Sequence, residues 1–218
     1  MIKPSTLKFL EQLGKNNNKP WFEKHKEDYN EAKEDFEEFV AVLMEKIAPL
    51  EPLLKDQKPK DSIFRIFRDV RFSKDKTPYK SHFGAFLSKG GRKYTGAGYY
   101  IHLEPGKSFA GGGLWMPESL ILKGVRQEID YNFDEFNKMI NEKTFKKLFK
   151  NLEGEQLKTL PQGYAADNPA INFLKMKSFT VGHEFLDKDV TGKNFTSKCM
   201  DIFTAMRPLI DFLNRAVD

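Results

Sequence analysis

The spacing of apolar residues changes once along this chain, and that change limits the fold more than any other feature. Phe22, Tyr29, Ala32, Phe36, Val40, Leu43 and Ile47 recur in steps of three, four or seven. That spacing lines one face of a helix. Asn18 is a suitable N-cap, Pro20 fits the first turn, and Pro49 and Pro52 end the run because proline cannot donate to the helical ladder. From residue 62 the period falls to two. Phe64, Ile66, Val70 and Phe72 alternate with Arg65, Phe67, Asp69 and Arg71, the pattern of a strand or extended segment with one buried face. Three runs of strand character follow, at 81–87, 97–103 and 108–114, separated by Gly90-Gly91 and by Glu104-Pro105-Gly106-Lys107. Connections this short imply antiparallel neighbours, so a meander is expected, with the 62–72 segment beside it.

Helical patterns surround this block. Ser5 or Thr6 is placed to cap a short helix carrying Leu7, Phe9, Leu10 and Leu13. Pro117 precedes a helix over about 118–130, marked by Leu122, Val125 and Ile129, and two shorter helices are expected at 133–141 and 143–152. Lys177–Phe185 reads as one more strand, and a closing helix from Asn194 carries Phe195, Met200, Phe203, Met206, Ile210 and Leu213. The expected fold class is α+β, with an antiparallel sheet of about four to five strands flanked by the long N-terminal helix, a central helix and the C-terminal helix. No internal repeat or low-complexity linker interrupts the 218 residues, so a single domain over 1–218 is expected.

Hydrophobic residues make up 39% of the chain and include 20 Phe, enough apolar surface to drive folding where aromatic-poor, highly charged sequences stay disordered. No apolar run approaches the roughly 18 residues of a membrane span, and the N-terminus lacks the apolar stretch and cleavage site of a secretory signal. The one cysteine, Cys199, has no second thiol to pair with. A cytoplasmic protein without a membrane partner is expected.

Charge becomes informative once it is located. Lys58 to Lys80 holds eight basic and three acidic residues, which leaves +5, the net charge of the whole chain. The remainder is neutral on balance, so one face is suited to an anionic partner. Guanidinium groups present planar donor forks that match phosphate or carboxylate, and lysines add mobile point charges. Arg65, Arg68, Arg71, Lys76 and Lys80 are the candidate ligand-binding cations, with Tyr79 as a polar contact. Asp75 and His82 are the candidates for proton transfer should the ligand be turned over. A structural alternative stands beside this one: Asp69 and Asp75 pair with the arginines in an internal ion network. Strand parity places Arg68 on the apolar side, where an unpaired charge would be expensive. Its partner is then a carboxylate, Asp75 or Glu104, or the ligand itself.

The run R-x-x-R-D-x-R-F-x-x-D-K-x-P-Y at 65–79, preceded by N-N-x-x-W-F at 17–22 and followed by G-x-x-x-P at 113–117 and P-x-G at 161–163, resembles the DUF2461 family of uncharacterised bacterial proteins. The similarity runs nearly end to end. It implies one soluble domain and directs attention to Arg65, Arg68, Asp69, Arg71, Phe72, Asp75, Lys76 and Tyr79, without a catalytic assignment.

Other motifs are weaker or missing. Gly111-Gly112-Gly113 ahead of Pro117 is a backbone that could cradle phosphate, but it matches neither the P-loop nor the dinucleotide fingerprint, and strand glycines more often mark close backbone approach. His25, His82, His102 and His183 lie far apart with no H-x-x-x-H or H-E-x-x-H spacing, so no metal motif is read. His82 and His102 fall in adjacent expected strands and so can approach each other. No G-x-S-x-G elbow is present, Cys199 fits a packing role, and no cofactor is required. The leading expectation is an Arg/Lys-lined cleft for a small anionic, phosphorylated or carboxylated ligand. The alternatives are a nucleic-acid-binding surface over 58–93, extended by Lys58, Lys60, Lys74, Lys89, Arg92 and Lys93, and a structural ion network with function elsewhere.

Overall fold

The computed structural model describes residues 1–54 and 57–217. Its fold class is α+β. Strands Phe83–Leu87 (β1), Gly98–Leu103 (β2), Ser108–Leu114 (β3) and Phe179–Phe185 (β4) form one antiparallel sheet in the order β1-β2-β3-β4. Each lies inside a run whose period-two pattern and turn signals mark it as a strand. Contacts group the chain into two compact units: Met1–Arg92 with Tyr100–Ala110 and Glu184–Asp201, and Lys93–Tyr99 with Gly111–His183 and Ile202–Asp218.

In the first unit, α1 (Pro4–Lys15) buries Leu7, Phe9, Leu10 and Leu13. The helix expected from Asn18 to Ile47 is instead two, α2 (Lys19–Lys24) and α3 (Lys26–Ile47), because His25 leaves helical geometry at φ −111°, ψ 29°. Its ring stacks on Trp21 with centroids 4.0 Å apart, and Nδ1 lies 2.8 Å from the Trp21 carbonyl. The Trp21 carbonyl thus faces both the His25 ring and the His25 amide, which donates to it at 3.1 Å. Asn18 caps α2 by accepting from the Trp21 amide at 3.0 Å. α3 buries Phe36, Phe39, Val40, Leu43 and Ile47, and Phe36 stacks on Phe83 of β1 at 5.3 Å. Asp35, itself buried, accepts from the Lys3 amide at 2.9 Å and the Thr6 hydroxyl at 2.5 Å, tying the start of α1 to α3.

A short helix, α4 (Pro59–Ser62), leads into an arm that departs from the expected strand. Residues 63–68 run antiparallel to 78–85 through isolated bridges, Ile63 with Ala85 and Phe67 with Tyr79. The bonds Phe64 N to Gly84 O (2.9 Å), Lys80 N to Ile66 O (2.8 Å) and Arg68 N to Pro78 O (2.9 Å) hold the two sides together. Within this stretch the alternation holds, with Ile66 buried and Phe67 exposed; beyond it the pattern fails at Phe72, which is 95% exposed. A cross-strand partner is needed to keep period two, and residues 69–77 form a loop that has none.

In the second unit, α5 (Ser119–Tyr131), α6 (Phe133–Ile140) and α7 (Lys143–Phe149) bury Val125, Ile129, Phe136, Ile140, Phe145 and Phe149. A single turn, α8 (Ile171–Leu174), is held by Arg126, which donates to the carbonyls of Leu174 and Met176 at 2.7 and 3.2 Å. A second single turn, α9 (Asp187–Val190), belongs to the first unit. The closing helix α10 (Phe195–Asn214) buries Phe203, Met206, Leu209, Ile210 and Leu213. Arg215, just after it, bridges Glu128 at 3.2 Å and Glu135 at 2.6 Å. Gly112 and Gly113 serve close approach: a Cβ would lie 2.6 Å from Gly98 O at the first and 2.1 Å from Phe179 O at the second. No helix among the described residues is long and apolar enough to cross a membrane.

Candidate functional site

Strand β2 sorts its side chains by parity. Tyr99, Ile101 and Leu103 are buried on one side, and Tyr100, His102 and, directly after the strand, Glu104 stand half-buried on the other. On that second side a chain of polar contacts forms. Tyr100 Oη lies 3.2 Å from His102 Nδ1, and His102 Nε2 lies 3.0 Å from Glu104 Oε2. The neutral tautomer that satisfies both contacts donates Nε2–H to Glu104 and accepts the Tyr100 hydroxyl at Nδ1. Ser81 donates to the other carboxylate oxygen at 3.4 Å.

The neighbouring strands complete the cluster. His82, immediately before β1, brings its ring within 4.3 Å of His102, and Phe109 of β3 stacks on His102 at 4.9 Å and 17°. Gly84 of β1 leaves room for the Tyr100 ring; a Cβ there would lie 2.4 Å from Tyr100 Oη. Phe64 lies 6.3 Å from Tyr100, and Lys80 holds its ammonium 5.5 Å from the Phe64 ring. Potential ligand atoms of His82, His102 and Glu104 all fall within 4.8 Å of one another. Strand pairing thus brings His82 to His102 and Glu104, which parity already places on one face.

Ionisation follows from these surroundings. Burial, assisted by the nearby charges of His102 and Lys80 and opposed by Glu104, lowers His82 to about 4. Burial and then Glu104 push Tyr100 up to about 12, so the phenol keeps its proton. Burial resists the charge of Glu104, but the hydrogen bond from His102 and the charges around it outweigh that effect and lower its pKa. Lys80 is lowered, by burial first and by Arg65 second. Its ammonium makes no hydrogen bond or ion pair among the described residues, and neither does the exposed guanidinium of Arg65.

Arg68, Arg71, Asp75 and Lys76 are engaged within the arm. Arg68 Nη1 binds the Asp75 carboxylate and the Thr77 hydroxyl, and reaches the Thr77 carbonyl at 3.2 Å. Of the partners available to Arg68, the structure supplies Asp75. Asp75 also accepts from the Thr77 amide at 2.9 Å; that bond first, and Arg68 next, lower its pKa to about 2. It is therefore a carboxylate at neutral pH rather than a proton donor. Arg71 forks onto Asp69, Nε at 3.0 Å and Nη2 at 2.7 Å, with its side chain 76% exposed. Lys76 donates to the Val70 carbonyl at 2.9 Å. Tyr79 is a core residue, 4% exposed and stacked on Phe22 at 4.0 Å and 12°, while its backbone is bracketed by the Asn17 amide at 2.9 and 3.1 Å. Arg92, from the wider basic surface, donates to the carbonyls of Lys60 and Ile63 at 2.7 and 2.9 Å.

The structure brings Lys80, His82, His102 and Glu104 together, engages Arg68, Arg71, Asp75 and Lys76 within the arm, and packs Tyr79 in the core against Phe22. Two concavities lie elsewhere, one of about 550 Å³ lined by Met44, Ala48, Pro52 and Leu54, the other of about 350 Å³ lined by Asn137, Asn141, Lys146 and Lys150. Tyr100, and Glu104 as a member of the cluster, were not singled out from the sequence. The signal was there as Y-x-H-x-E at 100–104, since on a strand that spacing puts all three on one face.

The chain is matched by a family model. The model, described as "Conserved hypothetical protein (DUF2461)", covers residues 5–212, and the chain belongs to that family. No curated protein and no solved structure matches it.

Proposed function

We propose that the chain binds a small anionic ligand, phosphorylated or carboxylated, on the half-buried face of β1 and β2. Lys80 and Arg65 supply the positive charge, and His82 and Ser81 supply polar contacts. One observation carries this reading: Lys80 is a half-buried cation without a carboxylate partner, further disfavoured by Arg65. Buried charges are ordinarily paired, because desolvation without compensation is unfavourable. A bound anion relieves both the desolvation and the repulsion. The test is a thermal-shift titration with phosphate. Phosphate should stabilise the wild type and Arg71→Ala alike, and Lys80→Met should lose at least ten-fold in affinity. Equal stabilisation of wild type and Lys80→Met would remove Lys80 from the site.

A second reading has one specific observation behind it. Phe72 is 95% exposed at the end of the arm, with the Arg71 guanidinium 5.9 Å from its ring. An exposed aromatic ring beside cations is the arrangement on which unpaired bases stack. On this reading a single-stranded oligonucleotide binds with steep salt dependence and Phe72→Ala weakens it. Anisotropy that Phe72→Ala leaves unchanged, with a flat salt response, rules it out.

A further inference from the structure

We propose that His82, His102 and Glu104 bind a divalent transition-metal ion, zinc being the best match to these donors, with one coordination position left open for a small anion. The potential ligand atoms of the three lie within 4.8 Å of one another on half-buried side chains. Imidazole nitrogen and carboxylate oxygen are donors that zinc accepts, and three protein ligands with an open fourth position are the arrangement of its reactive sites. His102 Nε2 and Glu104 Oε2 are already 3.0 Å apart. Two atoms sharing one tetrahedral ion through bonds of about 2.0 Å sit roughly 3.3 Å apart, so this pair needs little adjustment. The His82 ring lies 4.3 Å from that of His102, and it has no hydrogen bond among the described residues to give up.

The residues around the three donors suit the role. Metal-bound histidines are held by a polar partner on the other ring nitrogen, and Tyr100 Oη lies 3.2 Å from His102 Nδ1. Phe109, stacked on His102 at 4.9 Å, fixes the plane of the ring. Loading an ion at Nε2 moves the His102 proton to Nδ1, and the Tyr100 hydroxyl turns from donor to acceptor, so the proton count of the pair is unchanged. Lys80, and Arg65 beyond it, repel a bare cation and favour an anion in the open position. Ion and anion therefore bind with positive coupling, each raising the affinity of the other. The three-donor site stands by itself; only the identity of the fourth ligand rests on the anion reading above.

Cobalt(II) is the probe. Metal-stripped protein should take up one cobalt ion per chain with a visible absorption band, and zinc should displace it. His82→Asn and Glu104→Gln should each weaken uptake by about a hundred-fold, and Tyr100→Phe by about ten-fold, with the metal-free circular dichroism unchanged. If His82→Asn does not fold, Glu104→Gln carries the test. Absence of uptake, or uptake undiminished in the ligand variants, overturns the inference. Phosphate should shift the cobalt spectrum and tighten cobalt binding. Phosphate stabilisation of wild-type protein that takes up no cobalt would sink the metal site and leave the anion reading standing. Uptake insensitive to phosphate would support the metal site and overturn the anion as its fourth ligand.

Discussion

The arm at 63–79 and the polar face of β2, with Lys80 beside it, both carry cations, and they treat them in opposite ways. In the arm, Arg68 binds Asp75 and Thr77, Arg71 binds Asp69, and Lys76 binds a backbone carbonyl. At the β2 face, Lys80 sits half-buried without a counter-charge, next to an imidazole with no hydrogen bond among the described residues. The arm carries most of the excess charge in the sequence, yet Arg68, Arg71 and Lys76 are answered from within it. A charge count finds a region; whether each charge is answered locates the site inside it. Substitutions that separate the two regions sharpen this contrast, and the largest effect should come from Lys80→Met, which removes phosphate stabilisation while Arg68→Ala and Arg71→Ala retain it.

The next effect in size tests the scaffold of the β2 face. Gly84→Val places a side chain where Tyr100 Oη now lies, 2.4 Å from the first added carbon. Displacing the Tyr100 ring should destabilise the fold by about 1–3 kcal/mol in chemical denaturation, and should release His102 from its hydroxyl partner. Unchanged stability would mean that the ring is not held against β1.

A smaller effect probes the arm through pH. The folded-state pKa of Asp75 is about 2, below its ordinary 3.8. A depressed carboxylate pKa contributes stability above the ordinary value, and that contribution is lost as pH falls from about 4 toward about 2. Carboxyl NMR should place the Asp75 midpoint near that lower limit, and Thr77→Ala should raise it by removing the hydroxyl bond. A midpoint near 3.8 in the wild type would break the internal account of the arm. The smallest effect is expected for Arg71→Ala, whose exposed pair with Asp69 is screened by solvent. Its melting temperature should equal that of the wild type.

Much of this was readable from the chain. The 108–114 run becomes β3 without change, and the 97–103 run becomes β2 with one residue trimmed, because alternation and turn residues are local signals. The single long helix was not, since the turn at His25 that divides it leaves no mark in the apolar spacing. The 62–72 strand failed for a different reason: alternation is necessary for pairing, but residues 69–77 have no strand to pair with. Arg68, at the end of the paired stretch, is answered by Asp75 and Thr77. The β2 cluster was half legible. His82 and His102 were expected to approach, whereas Glu104 and Tyr100 join them through parity along one strand. Gly112 and Gly113 follow the packing reading, since strand backbones approach where a Cβ would stand.

The most direct test of the contrast is a phosphate titration followed by NMR of the histidine rings, the Lys80 ammonium and the arginine guanidinium groups. The account predicts saturable shifts at Lys80, His82 and His102 with Arg68 and Arg71 unmoved. Saturable shifts at Arg68 and Arg71 with Lys80 and His82 silent would contradict it.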